Sequence, residues 1–389
     1  MESILHIFDD ILFVVFAINI AYLLVYSMAA ALHPTQSKPA RATKHRRIAI
    51  LIPAYKEDAV IHECVRSCLK QNYPPDKFDT VVISDRMTAE TNASLAALHI
   101  ILVTVRFEKS TKSKSLNHAM AVIGNNYDIA VILDADNVIS DTFLSDINDM
   151  FDSHPDIEIV QAHRVAKNRN NSIAFLDGIS EEINNSIFRL GHAQLGMSAA
   201  LIGSGMAFNY RLFRETMAGI RAVGGFDREL ELTLLLQNKR FYYLQDTRVW
   251  DEKIQSHDDF SRQRRRWLSA QWHYSVLFAR YLPTAFRAGQ WDFCDKLYQQ
   301  FSMPRLLLIG FTFLIALGWS FLRTSWSLKW WALFVCLAIA LLIAIPRYYY
   351  NRRLWRALCS LPYTFFIMAG NIFKLRGANK TFIHTKHGK

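Results

Sequence analysis

Four groups of polar residues, in a fixed order along the chain, contain the side chains best suited to chemistry. Taken alone, each group has an ordinary structural explanation, because turns, helix ends and solvated faces use the same residue types. In this order and between apolar segments, they indicate one site where a metal-bound phosphate compound reacts. The groups are Asp85, Asp134-Ala135-Asp136, Glu229-Leu230-Glu231 and Gln263-Arg264-Arg265-Arg266-Trp267.

Asp134 and Asp136 have the spacing of a divalent-cation site. They follow the apolar run Ile129 to Leu133, and alternate residues at the end of a strand can direct two carboxylates into one cleft. Hard oxygen ligands suit Mg²⁺ or Mn²⁺, which fill their other positions with water and substrate phosphates. A cation held there would make a diphosphate a better leaving group. The alternative is a solvated, aspartate-rich turn.

Three further segments suit the binding of a nucleotide and its phosphates. The Asp85 carboxylate, after a strand-like run, can accept a hydrogen bond from a base N–H group, or it can cap a helix. Lys114, together with Lys112, begins a predicted helix, where backbone N–H groups also attract phosphate; a solvated helix start is the alternative. Gly203-Ser204-Gly205 would let the backbone approach a ligand closely, or would form a bulge.

Glu229 and Glu231 are candidates for a general base. Residues two apart on a helix point in different directions, so one of them can face a cleft while the other caps or pairs. A carboxylate beside an acceptor can remove the proton of its hydroxyl group. An exposed acidic helix turn would have the same sequence.

Gln263, Arg266 and Trp267 combine a cation with an indole ring. Arginine suits two-point contacts with phosphate, and tryptophan can stack on the face of a sugar. A basic helix beside a membrane is the alternative, and it is sufficient to explain Arg264 and Arg265. The Gln-x-x-Arg-Trp spacing favours a functional site for the other three residues.

The elements that must position these groups alternate between strand and helix from residue 47 to about residue 208. This alternation predicts an α/β domain with a mostly parallel sheet covered on both faces. Ligands of such sheets gather at the carboxyl ends of the strands, where Tyr55, Glu57, Asp85, Asp134 and Asp136 are expected. The predicted strands are Ile48 to Pro53, Phe78 to Ser84, Ile100 to Val105, Ile129 to Leu133 and Ile157 to Gln161, and the helices are Ala59 to Gln71, Ser113 to Ile123 and Asp141 to Phe151. Residues 209–280 are more helical, with a strand at Arg248 to Trp250.

Apolar segments flank this domain and predict an integral membrane protein. Leu12 to Leu32 has no charge and is long enough to span a hydrocarbon core of roughly 30 Å. Leu306 to Leu322 and Trp330 to Pro346 are two further candidate spans. Acidic residues precede the first run, which argues against a cleaved signal peptide. Five basic residues follow it by residue 47 and none precedes it, so the positive-inside rule places the central domain in the cytoplasm, on the inner (plasma) membrane.

The last apolar stretch, Ala357 to Phe373, contains Pro362 and Asn371 and precedes a basic tail. Spanning would place that tail outside, so an interfacial or re-entrant segment is favoured. The predicted organisation is a transmembrane helix (1–33), a basic linker (34–46), the α/β domain (47–280), an interfacial helix (281–304), two transmembrane helices (305–347), and an interfacial or re-entrant segment with a basic cytoplasmic tail (348–389).

The net charge of +11 does not require a nucleic-acid partner. Much of the positive excess flanks membrane segments, where anionic lipid headgroups attract it, and the sequence contains no nucleic-acid motif with the required context. The five cysteines include no C-x-x-C pair. A cytoplasmic domain would keep them reduced, so neither a zinc site nor a disulfide is expected.

As a set, the motifs resemble family 2 glycosyltransferases of the membrane-bound, cellulose-synthase-like type. The resemblance covers roughly residues 47–273, and parts of residues 161–208 and 251–253 are similar to the bacterial exopolysaccharide branch. The motifs that carry it are Pro53-Ala54-Tyr55-Lys56-Glu57, Asp85, Lys112 to Asn117, Asp134 to Asn137, Gly203 to Phe208, Glu229 to Glu231, Gln263 to Trp267 and Phe382 to Thr385.

This resemblance implies a GT-A fold, a nucleotide-diphosphate sugar donor (usually a UDP-sugar), an Mg²⁺ or Mn²⁺ ion, and inversion at the anomeric carbon. It also implies roles for single residues. Asp85 would contact uracil; Pro53, Ala54, Tyr55 and Glu57 would line the base pocket; Lys114 and Asp134 would serve the diphosphate; Asp134 and Asp136 would bind the metal; and Gln263, Arg266 and Trp267 would hold pyrophosphate and acceptor.

One motif departs from the family pattern, which has Thr-Glu-Asp at the catalytic base. Alignment on the following leucine-rich helix places Glu229 at the aspartate position and Arg228 at the glutamate. Glu229 is therefore the expected base, with Glu231 or Asp227 in reserve.

Three functions are consistent with these features. The first is transfer of a sugar to a saccharide or lipid-linked acceptor in polysaccharide synthesis, with membrane lipid nearby and a partner for export or polymerisation. The second is addition of a single sugar to a lipid such as a polyprenyl phosphate or diacylglycerol. The third is a non-catalytic membrane scaffold that binds nucleotide. The few C-terminal spans leave little material for an enclosed polymer channel, which favours short products or a separate exporter.

Overall fold

The computed structural model describes residues 2–32 and 39–372, in which strands and helices alternate through the central part of the chain. The strands are β1 (Ile48–Tyr55), β2 (Phe78–Asp85), β3 (Ile101–Val105), β4 (Ile129–Ile132), β5 (Val138–Ile139), β6 (Ile159–Ala166), β7 (Met206–Asn209) and β8 (Tyr242–Asp251). The tail after residue 372 and residues 34–38 of the basic linker lie outside the described residues.

The helices fall into a group within the sheet domain and a group after it. The first group is α2 (Ile61–Leu69), α3 (Ala89–Ala96), α4 (Lys112–Ile123), α5 (Phe143–Ser153), α6 (Ser172–Asn184), a π-helix (Asn185–Gly191), α7 (His192–Gln194), α8 (Tyr210–Gly219) and α9 (Phe226–Leu236). The second is α10 (His257–Ala279), α11 (Leu282–Arg287), α12 (Trp291–Phe301), α13 (Arg305–Leu322), α14 (Thr324–Ala344), α15 (Arg352–Leu358) and α16 (Leu361–Ile372). Helix α1 (Glu2–Leu32) precedes the domain, and short 3₁₀ turns lie at Pro75–Lys77 and Arg347–Tyr349.

The sheet has the order β3-β2-β1-β4-β7-β6-β8-β5. β3, β2, β1 and β4 are parallel to one another, and β6 is parallel to β8. β7 is antiparallel to both β4 and β6, and β5 is antiparallel to β8. The other six strands therefore run in one direction, as a mostly parallel sheet requires, and the two reversed strands, which were not predicted, make the sheet mixed. β7 has only four residues, too few to show a period-two pattern in the sequence.

The central strands are continuous apolar runs because both faces of the sheet are covered. Ile48, Ile50 and Ile52 pack in one core with α2 and α5. Ala49 and Leu51, the alternate residues, pack in a second core with α4 and α8. A parallel strand that is buried on both faces has a continuous run of apolar residues instead of alternating apolar and polar residues. Burial on both faces also leaves the strand ends as the places where polar side chains gather.

Within residues 2–32 and 39–372, three helices are long and apolar enough to cross a membrane: Ser3–Leu32, Arg305–Leu322 and Thr324–Ala344. α1 and α13 both pack on α14. The indole N–H groups of Trp319 and Trp330 donate to Asp9 at 2.8 and 3.0 Å, and Lys329 pairs with Asp10 at 2.6 Å. The beginning of α1 therefore lies beside the α13–α14 turn, the arrangement expected if both face the same side.

The segments flanking α13 and α14 differ in detail from the prediction. Residues 281–304 form two helices, α11 and α12, instead of one, and Phe286 and Trp291 are more than half exposed. α16 has twelve residues, which gives it a length of about 18 Å, short of the roughly 30 Å hydrocarbon core. Phe365 of α16 packs against Phe311 of α13.

Candidate active site

Three carboxylates converge at the carboxyl edge of the sheet. Asp134 and Asp136 follow β4, and Asp251 ends β8. Each offers an oxygen, and these oxygens all lie within 4.8 Å of one another. Asp251 was not predicted as a ligand; the signal available was its position after the strand-like Arg248 to Trp250. Because β6 and β8 pair in parallel, the end of β8 reaches the same edge as the end of β4.

Neighbouring groups hold this acidic cluster (Asp134, Asp136, Asp251) in place. The Asn137 amide lies 3.3 Å from the Asp136 carboxylate and 3.2 Å from that of Asp251, and donates to both. The backbone N–H of Glu252 donates to Asp136 at 3.1 Å. Three close carboxylate oxygens with fixed orientation fit a hard divalent cation such as Mg²⁺ or Mn²⁺.

A buried network of charges supports Asp251 from behind. Lys253 contacts Asp251 at 2.7 Å and Arg164 lies 3.8 Å away. Arg164 also pairs with Glu181 at 2.9 Å, and Arg189 pairs with Glu181 at 3.2 Å. Burial opposes ionisation of Asp251, but Arg164 and Lys253 outweigh it and hold the pKa of this carboxyl below its usual range. Asp251 is thus kept as a carboxylate.

Lys112, rather than Lys114, reaches the acidic cluster. The Lys112 ammonium donates to the Asp134 carboxylate, and it also donates to the Gly203 carbonyl at 2.7 Å. Lys114 is two residues further along α4 and donates instead to the Lys109 carbonyl at 3.1 Å. Its backbone N–H is capped by Thr111. The two lysines therefore point to different parts of the cleft, as residues i and i+2 of a helix must.

Asp227 is the acidic residue of α9 that faces this region. A Cβ atom added to Gly203 would lie 3.6 Å from the Asp227 carboxylate oxygen, and the Gly203 carbonyl binds Lys112. Burial lowers the pKa of the Arg266 guanidinium, while the nearby carboxylates of Asp227 and Asp134 oppose this. Asp227, Arg266 and Asp134 thus share one electrostatic environment.

The two glutamates expected as bases both have hydrogen-bond partners within the protein. Glu229 accepts from the backbone N–H of Arg221 at 3.2 Å and from the Tyr274 hydroxyl at 3.4 Å. Glu231 is buried, accepts from the Leu201 N–H at 2.8 Å and pairs with Lys296 at 2.8 Å. Both carboxylates hold neighbouring segments together, and the structure does not bring Glu231 into the cleft.

The predicted nucleotide pocket is partly assembled at the ends of β1 and β2. Asp85 is 1% exposed, and neither of its carboxylate oxygens has a hydrogen-bond partner among the described residues. Such an oxygen is costly to bury unless a ligand donates to it. Tyr55 pairs with Asp85 across the strands. Tyr55 and Lys114 also line a cavity of about 440 Å³ between α4 and the Ile220–Val223 loop.

Three other residues of the Pro-Ala-Tyr-Lys-Glu motif contribute to the strand, the core and the start of a helix. Pro53 lies within β1 opposite Ile83. The side chain of Ala54 is buried in the core, so it does not line the pocket. The Glu57 carbonyl accepts from the N–H groups of Val60 and Ile61 just before and at the start of α2.

The Gln-x-x-Arg-Trp motif lies in α10, which crosses the beginning of α9. Arg266 faces α9, and the next turn of the same face places Ala270 against Gly225. The Gln263 side-chain oxygen is buried without a hydrogen-bond partner among the described residues. Trp267 is stacked by the Arg264 guanidinium, 4.6 Å from the ring centroid, and Arg264 also pairs with Asp177 at 2.7 Å. Arg264 therefore holds α10 to α6 instead of facing solvent.

Comparison with known proteins agrees with this architecture. Residues 45–270 match the family described as glycosyltransferase like family 2. The chain is similar to the mannosyltransferase PcManGT from Pyrobaculum calidifontis, solved in complex with GDP-Man and Mn²⁺, with 16% identity, a TM-score of 0.53, and coverage of 86% of this chain and 98% of that one.

Two other solved structures show weaker similarity. S. aureus TarS 1-349 in complex with UDP-GlcNAc has 15% identity and a TM-score of 0.44, covering 86% of this chain and 90% of that one. Glucosyl-3-phosphoglycerate synthase from Mycobacterium tuberculosis, solved with Mn²⁺, UDP and phosphoglyceric acid, has 16% identity and a TM-score of 0.42, covering 60% and 78%. At these identities it is the similarity to the mannosyltransferase, the strongest of the three, that shows a shared fold.

Proposed function

Because this chain belongs to the glycosyltransferase like family 2 and is therefore a transferase of the GT-A fold, we propose that it moves a sugar from a UDP-sugar to a membrane-associated saccharide or lipid-linked acceptor, with inversion at the anomeric carbon. The observation that carries this proposal is the convergence of the acidic cluster with Lys112, Asp227 and Arg266 at one edge of the sheet. That edge supplies ligands for a cation, positive charge for a diphosphate and a carboxylate for an acceptor.

The donor nucleotide lies at the ends of β1 and β2. The two Asp85 oxygens without partners accept from the base, which explains why a carboxylate is kept in this buried position. The cavity lined by Tyr55 and Lys114 leads from there along α4. Guanine also presents N–H donors on its base edge, so a GDP-sugar is the competing donor.

Asp134, Asp136 and Asp251 would hold Mg²⁺ or Mn²⁺. When bound, the ion would neutralise charge on the diphosphate and make it a better leaving group. Lys112 and Arg266 add positive charge on the protein side, at the place where charge develops during transfer. Asn137 and the Glu252 N–H keep Asp136 oriented.

Asp227 is the general base in this proposal. Its carboxylate takes the proton of the acceptor hydroxyl, whose oxygen attacks the anomeric carbon on the face opposite the diphosphate. The bond from the anomeric carbon to the diphosphate breaks as the new glycosidic bond forms, which inverts the configuration. Glu229, which the motif alignment favours, is the alternative base, but its carboxylate is engaged by Arg221 and Tyr274.

A membrane-bound acceptor follows from the position of the domain. Three apolar helices adjoin it, and by the positive-inside rule the basic residues after α1 favour a position on the cytoplasmic face of the inner membrane. Transfer of a single sugar to a polyprenyl phosphate or diacylglycerol is the alternative to chain extension. Product length distinguishes the two, since chain extension yields a ladder of products with an export or polymerisation partner.

The test is release of nucleotide diphosphate by detergent-purified protein supplied with Mg²⁺ or Mn²⁺, membrane lipid and a panel of UDP- and GDP-sugars. We expect release from one donor class, dependent on the metal. Asp136→Ala and Asp251→Asn should each reduce release by at least ~10²-fold, as expected when a cation site is lost, with the fold retained. Unchanged activity in Asp136→Ala would refute the metal assignment.

A further inference from the structure

A second cavity, whose lining includes none of the residues of the acidic cluster, lies at the domain end of the apolar helices. Its volume is about 440 Å³, and it is lined by Arg169, Phe175, Tyr348, Asn351, Arg352 and Arg353. Arg169 comes from the loop after β6, and Phe175 from α6. The other four follow α14, which ends at Ala344. The cavity is therefore built between the transferase domain and the chain that leaves a candidate membrane span.

No salt bridge among the described residues joins any of the three arginines of this cavity to a carboxylate. Arg169 lies over the rings of Tyr348 and Tyr349, at 5.0 and 4.6 Å from their centroids. Arg353 donates to the Arg169 carbonyl at 3.3 Å. These contacts bring the guanidinium-bearing segments together in spite of their mutual repulsion.

Glu182 is an acidic residue that contacts the cavity wall, and its carboxylate already has other partners. The Tyr348 hydroxyl donates to Glu182 at 2.8 Å, and Glu182 also binds His163 at 3.0 Å. Beyond Asp295 the sequence contains thirteen Lys and Arg residues and not one Asp or Glu. The sequence after Asp295 therefore offers no acidic side chain to these arginines, and an anion from another molecule would supply the compensating charge.

The surroundings of the cavity are those of a membrane interface. Tyr348 and Tyr350 are each 50% exposed and Trp355 is 70% exposed, and amphipathic aromatic rings of this kind collect at the level of lipid headgroups. The opposite end of α14 lies by Lys329 and the beginning of α1. The cavity is therefore at the domain-side end of the span, where cytoplasmic headgroups would lie.

We propose that this cavity binds the phosphate headgroup of an anionic membrane phospholipid through Arg169, Arg352 and Arg353. Guanidinium groups bind phosphate oxygens by paired hydrogen bonds, and basic pockets beside membrane helices on the cytoplasmic side suit such headgroups. The exposed aromatic rings border the acyl chains. The site is separate from the acidic cluster and does not depend on the reaction proposed above.

The experiment is native mass spectrometry of the full-length protein, delipidated in a non-ionic detergent and titrated with phosphatidylglycerol or phosphatidylcholine. The wild type should retain one phosphatidylglycerol saturably and bind phosphatidylcholine at least ~10-fold more weakly. The variant Arg352→Gln/Arg353→Gln should bind phosphatidylglycerol roughly 30-fold more weakly, since each arginine near an anionic headgroup contributes about a factor of five.

A matched control removes the same charge from the same segment. Arg347→Gln/Arg356→Gln changes two arginines that do not line the cavity, and it should stay within about threefold of the wild type, because loss of diffuse charge alone has a weak effect in micelles. Equal loss in both double variants would overturn the proposal, because it would show general charge attraction without a site. Equal retention of the two lipids would overturn it as well.

Two further measurements are needed. One distinguishes a lipid phosphate from a soluble phosphate, and the other distinguishes loss of the site from misfolding of the variant. Inorganic phosphate at millimolar concentration should leave retained phosphatidylglycerol unchanged; full displacement would assign the cavity to a soluble phosphate and overturn the lipid proposal. If the double variant melts below the wild type, Arg353→Gln alone is used, with an expected loss of roughly fivefold. All measurements are made without a donor sugar, so inactivity of the transferase does not affect them.

Discussion

At the scale of single residues, the site is defined by which group each carboxylate faces. Asp134, Asp136 and Asp251 face one another, and repulsion among them is relieved by Lys112, Arg164 and Lys253. Of the three acidic side chains of α9, successive ones point in different directions, because residues two apart on a helix lie on different faces. Two of them support the fold, and one is directed towards the cleft.

We predict that Asp227→Asn lowers kcat by about 10²–10⁴-fold, the usual contribution of a general base, while the dissociation constant for the donor stays within about threefold. Glu229→Gln is the matched control in the same helix and should retain kcat within about threefold. Both values come from steady-state nucleotide release and from donor titration. A large loss in Glu229→Gln with normal activity in Asp227→Asn would assign the base to Glu229.

At the scale of elements, the contact of α9 with α10 sets the distance between Asp227 and Arg266. Gly225, just before α9, has a φ of 69°. A Cβ atom there would lie 3.0 Å from the Cβ of Ala270 and 3.4 Å from the Tyr274 ring. Glycine is required at this position because it accepts the left-handed backbone and permits the close approach of the two helices.

Gly225→Ala should destabilise the protein by about 1–2 kcal/mol through backbone strain, and should lower kcat by about 10–100-fold because α10 moves relative to α9. Thermal unfolding in detergent and nucleotide release measure the two effects. Gly219→Ala is the control: no atom lies within 4 Å of an added Cβ there, so stability should be unchanged or slightly higher. Equal behaviour of the two variants would contradict the assigned contact.

Helix α6, which packs against α14 and α15, is joined through Glu181 to the charges behind the acidic cluster. Burial would raise the pKa of this carboxyl, but Arg164, Lys253 and Arg189 outweigh burial and hold the pKa well below its usual range. Because the pKa is depressed in the folded state, the stabilisation is present above the unfolded pKa of about 4.3 and is lost as the pH falls below it.

We expect Glu181→Gln to destabilise the protein by about 3–5 kcal/mol at pH 7, because three buried cations lose a counter-charge. The variant should also lose less stability than the wild type between about pH 5 and pH 3. Midpoints of thermal unfolding across this range provide the comparison. Glu215→Gln, in an exposed pair with Arg211, should change stability by less than about 1 kcal/mol. If the stability of Glu181→Gln fell between pH 5 and pH 3 as steeply as that of the wild type, the depressed pKa of Glu181 would be contradicted.

At the scale of the whole molecule, α1 is fastened directly to the transferase domain. Tyr22 bonds to His192 at 2.8 Å and donates to Asp295 at 2.7 Å, and Tyr26 stacks on the His192 ring at 3.7 Å. Gly191 of the π-helix lies against the backbone of α1. The candidate membrane helix and the domain therefore form one packed unit at this point, which fixes the position of α1 relative to the domain.

Gly191→Ala tests this docking. A Cβ atom at Gly191 would lie 2.1 Å from the Tyr26 carbonyl oxygen, and backbone atoms cannot rotate away. We expect a loss of about 1–3 kcal/mol or more, typical of overpacking, and faster proteolysis of α1 from detergent-solubilised protein. Gly219→Ala again serves as the control. If Gly191→Ala kept the wild-type melting temperature and protease resistance, α1 would not dock as described.

Local features were readable from the chain alone. The sequence predicted the apolar runs that became β1, β2 and β4, the Asp134–Asp136 pair after β4, and the three apolar helices. These features could be predicted because strand burial and helix length depend on residues that are neighbours in the sequence. The resemblance to family 2 glycosyltransferases was confirmed by the match over residues 45–270, whereas the cellulose-synthase-like type stays a prediction.

Only the tertiary structure brought Asp251 to the acidic cluster, joined Lys112 rather than Lys114 to Asp134, and placed Asp227 beside Gly203. It also turned β7 antiparallel, paired Arg264 with Asp177 and placed Arg169 beside Arg352 and Arg353. These contacts join residues far apart along the chain, or depend on the rotation of one helix against another. Periodicity and residue type describe the direction of a side chain within its own element, whereas packing decides which other element that side chain meets.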